Sequence, residues 1–113
     1  MRALTATERD VLRAVVRAGA PEDEAVRTAL LAQVEVAQVS GASCACGCAS
    51  LGLTVAPADA PVAALAELSA DAVDGDYAVG FRVLLADGYL KDVEFYGYGD
   101  TDHATWPPAD LIR

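Results

Sequence analysis

Positive charge is scarce in this sequence. Eight Lys and Arg side chains stand against seventeen Asp and Glu, a formal net charge of −9 over 113 residues. Nucleic acids and anionic membranes are held by a basic footprint that displaces counterions, so this deficit argues against both as partners. A basic protein partner stays open, and the plainest consequence of the charge is solubility. Long apolar runs are missing as well. No stretch approaches the roughly 20 apolar residues of a membrane helix, and "MRALTATERDVLRAVV" lacks the continuous apolar segment of a signal peptide. The expectation is a soluble, cytoplasmic protein.

Cysteine is limited to three residues and histidine to one. An odd cysteine count without an export signal favours reduced thiols over a disulfide framework. There is no Gly-rich phosphate loop, nucleophile elbow or metalloprotease motif, so the sequence leans away from an enzyme.

What is there is a pattern of helices followed by strands. Thr5 stands three residues before Glu8, the capping-box spacing, and Gly19 closes the apolar set Val11, Leu12, Val15 and Val16, which predicts a helix over 5–18. Arg9, Arg13 and Arg17 form a separate stripe on that helix, a solvated face or a small anion-contacting patch. Pro21, with Glu22, Asp23 and Glu24 behind it, suits the start of a second helix over 21–33, paired with the first as a hairpin.

From Val34 the period shortens, and "VEVAQVS" and "LGLTVAP" predict strands over 34–40 and 50–56. Residues 57–76 are rich in Ala, Pro and Asp and read as a variable loop or a short helix near 62–69. Tyr77, Val79, Phe81, Val83 and Leu85 alternate, Asp87-Gly88 is a two-residue hairpin signal, and Val93 and Phe95 resume the alternation, predicting strands over 77–86 and 89–97. The Pro107-Pro108 tail reads as a loop that tucks Leu111 and Ile112 back onto the body. The implied fold class is α+β in a single domain: an N-terminal helical hairpin on one face of a mostly antiparallel sheet of about four strands, a two-layer sandwich. Tyr96, Tyr98 and Trp106 could cover the other face or offer it as aromatic surface.

The candidate chemistry lies in "SCACGC". A structural zinc site commonly draws four ligands as two pairs spaced by two to four residues, whereas Cys44, Cys46 and Cys48 have one-residue spacers. In an extended chain each thiol lies about 7 Å from the next, so one ion needs a turn, which Gly47 permits, and a fourth ligand, which His103 could supply. The alternatives are small side chains packing a tight bend, or a redox or nucleophilic thiol. The redox case lacks Cys-x-x-Cys, and a nucleophile would need His103 as base, with Asp100 or Asp102 to orient it. No cofactor is required, and zinc is the one the residues could hold.

Cys44, Cys46, Gly47 and Cys48, then Tyr98, Gly99 and Asp100, then Trp106 and Pro107, resemble small bacterial proteins with a Cys-x-Cys-Gly-Cys signature after two helices and a Tyr-Gly-Asp segment before a Pro-rich tail. The resemblance spans most of the chain outside 57–76 and implies no particular activity. The functional expectation is a non-enzymatic protein whose role the sequence leaves open and which acts, if at all, by binding a protein partner, a basic one suiting its charge, with metal binding through the cysteines, and then thiol redox chemistry, as alternatives.

Overall fold

The computed structural model describes residues 1–20, 22–42, 50–74, 77–97 and 105–113. Helix α1 spans Ala6–Gly19 and opens on the expected capping box: the Glu8 amide donates to Thr5 Oγ1 at 3.1 Å and the Thr5 amide donates to Glu8 Oε1 at 2.8 Å. Arg2 closes on the same carboxylate with two hydrogen bonds, at 2.8 and 3.0 Å. Those bonds hold the Glu8 carboxyl below its ordinary pKa, overcoming the partial burial that pushes it up.

Helix α2 spans Glu24–Val36, capped by Asp23, whose Oδ1 accepts from the Val26 amide at 3.1 Å. It therefore runs three residues past its expected end, through residues expected in the first strand. The reason is Gln33. Val26, Ala29, Leu30, Gln33 and Val34 are all buried at helical spacing, and one polar member made the apolar stripe look finished at Leu30 and Leu31.

Among the described residues the sheet has six strands where about four were expected, all paired antiparallel: β1 Arg2–Ala3, β2 Gln38–Ala42, β3 Leu51–Thr54, β4 Glu67–Asp74, β5 Tyr77–Ala86 and β6 Tyr89–Gly97, in the spatial order β1-β2-β3-β6-β5-β4. Two strands account for the difference. β1 is only two residues long, too short to carry a period. β4 falls inside the stretch read as loop or short helix; its inward residues are Leu68, Ala70 and Ala72, and alanine gives weak strand preference although all three are buried.

β4, β5 and β6 form a meander whose last strand returns beside β3, joined by Leu51↔Val93 and Gly52↔Asp92. Ser50 lengthens that junction with its side chain, for its buried Oγ accepts from the Phe95 amide at 2.8 Å. On the inner face Phe81, Val79, Val83 and Val93 are fully buried against Val11, Leu12, Val15 and Val16 of α1 and Leu30 and Val34 of α2. No helix among the described residues is long and apolar enough to cross a membrane.

The 57–66 connection carries the chain to the sheet's outer strand and is fastened by Gln33. Its buried Nε2 donates to Pro61 O at 2.9 Å and Gly88 O at 2.8 Å, while its Oε1 accepts from the Leu90 amide at 2.9 Å. The β4 edge is blunted from two sides. A Cβ on Gly19 would lie 3.0 Å from Ser69 O, so the end of α1 sits against the edge, and Arg113 exchanges backbone hydrogen bonds with Asp71 at 2.7 and 3.0 Å. A single 3₁₀ turn, Ala109–Leu111, leads into that contact, so Ile112 does tuck back.

Candidate functional site

Alternation along β4, β5 and β6 sends every second side chain away from the helices, and those residues line the outer face of the sheet. β4 contributes Glu67, Ser69, Asp71 and Val73, the last 59% exposed. β5 contributes Gly80, Arg82 and Leu84, and β6 contributes Asp92, Glu94 and Tyr96. Among the described residues both helices pack on the other face.

Tyr96 lies across Gly80, its register partner: a Cβ on that glycine would stand 2.5 Å from ring atoms of Tyr96, so only glycine leaves room for the ring. Tyr96 thus occupies the open face as one of the expected aromatics. Trp106 does not. It meets core residue Phe81 edge-on, with ring centroids 5.4 Å apart and an interplanar angle of 87°. Tyr98 lies outside the described residues.

Charge is distributed unevenly along the chain. Residues 1–36 hold six acidic and five basic side chains and residues 37–113 hold eleven and three, so eight of the nine net negative charges fall in the part of the sequence that follows the helices. Among the described residues that β4, β5 and β6 turn to the open face, four are acids, Glu67, Asp71, Asp92 and Glu94, and one is a base, Arg82. Arg82 Nε and Nη2 both donate to Glu67 Oε2, at 3.0 and 2.8 Å, and Nη1 stands 3.8 Å from Glu94 Oε2. The hydrogen bond to Glu67 raises the Arg82 pKa further, with the charges of Glu67 and Glu94 adding to it.

The helical side is balanced by comparison. Arg13 of the expected stripe ion-pairs with Asp10 at 2.9 Å and with Glu35 of α2, tying the two helices together, while Arg17 is exposed and Arg9 half-buried. Two shallow recesses flank α2, about 280 Å³ beside Ala64 and Leu65 and about 630 Å³ beside Pro61 and Val62; the first is lined by Glu22 and Asp23 and the second by Glu24 and Thr28, with no cysteine or histidine in either.

Cys44, Cys46, Cys48 and His103 lie outside the described residues, as do Asp100 and Asp102. Among the described residues no three His, Cys, Asp or Glu side chains are grouped to hold a metal ion. The flanks of the two segments do meet. The cysteine segment joins β2 to β3 and ends at Ser50, and Ser50 is bonded to Phe95, two residues before β6 ends at Gly97.

Sequence reading missed the Glu67–Arg82–Glu94 cluster. The alternation on β5 and β6 already turned Arg82 and Glu94 outward, but Glu67 could not join them while β4 was read as a loop. Compared with known proteins, the chain matches no family model, no curated protein and no solved structure.

Proposed function

We propose that this protein is a non-enzymatic binding module that takes a basic protein partner on the open face of its sheet. The supporting observation is that residues 37–113 carry eight of the nine net negative charges and that, among the described residues, β4, β5 and β6 place four acids and one base on a face with no helix packed on it. Such a face attracts a positive partner over about a Debye length and selects against acidic ones. Exposed Val73 and half-exposed Tyr96 add apolar contact beside the charges.

The test compares immobilised wild-type protein with the charge-reversed Glu67→Lys/Asp92→Lys/Glu94→Lys variant in capture from lysate, at low and raised salt. A captured protein of net positive charge, lost on the variant and lost as salt rises, is the expected result. Equal capture by both forms, or capture that ignores salt, sinks the proposal.

A second reading has Cys44, Cys46 and Cys48, with His103 as fourth ligand, holding a zinc-like ion. What favours it is the Ser50–Phe95 hydrogen bonding, which joins the end of the cysteine segment to the strand that leads toward His103. Three thiolates and one imidazole make a closed tetrahedral set. Protein purified without added metal or chelator is then expected to carry close to one equivalent of zinc, and Cys46→Ser to lose it. Metal content below about a tenth of an equivalent in the wild type overturns this reading.

A further inference from the structure

Resting on the reading that the open face binds a basic partner, we propose that the partner delivers an arginine, and that Arg82 is the built-in occupant of the place this arginine takes. Glu67 and Glu94 project from the strands on either side of β5 and converge on one guanidinium between them. A planar fork with donors on several edges can serve carboxylates on two neighbouring strands at once; an ammonium is a point charge that serves one.

Arg82 fills this place incompletely. Two of its donors crowd onto a single oxygen, Glu67 Oε2, and its approach to Glu94 at 3.8 Å is an ion pair beyond hydrogen-bond reach. The three side chains are 48%, 53% and 45% exposed, so water screens the pairing and little opposes exchange. An incoming guanidinium can take Glu94 and the second Glu67 oxygen with the forked geometry Arg82 does not achieve. With four carboxylates to one base among its described residues, the face has the charge to draw that arginine in. Arg82 is thus an internal competitor that sets the threshold for binding, and the face prefers arginine to lysine.

The experiment titrates isotope-labelled protein with a short arginine-rich peptide and with its lysine counterpart of equal length and charge. It uses wild-type protein, R82Q and the E67Q/E94Q double variant, read by backbone amide shifts. Thermal unfolding of each variant checks that the fold is kept. Expected are shifts centred on Ser69, Arg82 and Glu94, tighter binding of the arginine peptide than the lysine peptide, and a gain of about three- to tenfold for R82Q at low salt. The double variant is expected to lose the preference for arginine along with most of the affinity. If E67Q/E94Q weakens binding but R82Q fails to strengthen it, or both peptides bind alike, the arginine proposal falls and the open-face reading stands. If E67Q/E94Q binds as well as wild type, or the shifts centre elsewhere, the open-face reading falls and takes this proposal with it.

Discussion

Gln33→Leu is expected to lower the free energy of unfolding by about 3 kcal/mol, a large fraction of the total stability of a domain this size. The Gln33 side chain is wholly buried and all three of its hydrogen bonds run to backbone groups, Pro61 O, Gly88 O and the Leu90 amide. Leucine has similar volume, so no cavity opens and the loss isolates the polar contacts. Gly88 O keeps a second donor, the Ala63 amide at 2.9 Å, whereas Pro61 O and the Leu90 amide lose the partner described for them. Each buried backbone group left without a partner costs about 1–3 kcal/mol. Urea unfolding measures the sum, and native-state hydrogen exchange locates it. Protection is expected to fall first at Ala63, Leu65 and Leu90, because the amide ties the connection to the β5–β6 turn. A loss under about 1 kcal/mol means water already serves these groups. Gln33→Glu separates donor from acceptor. An ionised carboxylate cannot donate to the two carbonyls, so this variant is expected to be weaker than Gln33→Leu at neutral pH. Burial raises its pKa, and it regains stability as pH falls and the carboxyl protonates.

The same glutamine shows where sequence reading reached and where it stopped. Features carried by neighbouring residues were legible: the Thr5–Glu8 box, the Asp87-Gly88 turn and the alternation of β5 and β6 all form as read. Features whose cause lies far along the chain were not. Gln33 looks like the polar end of an apolar stripe until its partners, 28 to 57 residues away, are in place. β4 is a strand because its alanines are buried under α1, a tertiary cause that no local preference for alanine announces. Losing β4 cost the reading of the site itself, since Glu67 is the carboxylate that holds Arg82. The cysteines posed the opposite problem. Their clustering was conspicuous, but spacing alone left packing, metal and redox chemistry all open.

Gly88→Ala is expected to cost about 2–3 kcal/mol, more than its left-handed backbone alone explains. Asp87 and Gly88 have φ of 53° and 82°, the two-residue turn that matches the twist of β5 and β6. Forcing alanine into that conformation accounts for about 1 kcal/mol. The rest comes from the neighbour. A Cβ at Gly88 would overlap Val62 Cγ2 and stand 2.7 Å from Ala63 O. The valine is mostly exposed and can turn away, but Ala63 is held where it is by donating its amide to Gly88 O. The connection must therefore lift, straining the Gln33 bonds that converge on the same turn. Asp87→Gly is the control. It relieves the left-handed residue without adding an atom, and is expected to stay within about 0.5 kcal/mol of wild type. Combining Gly88→Ala with Val62→Ala is expected to recover only the part of the loss due to the valine, so that the two changes are non-additive. Full recovery places the whole strain on Val62, and a Gly88→Ala loss no larger than about 1 kcal/mol shows that the connection does not rest on the turn at all. Because that connection carries the chain to Glu67, the arginine preference of the open face is expected to weaken in Gly88→Ala even where the protein remains folded.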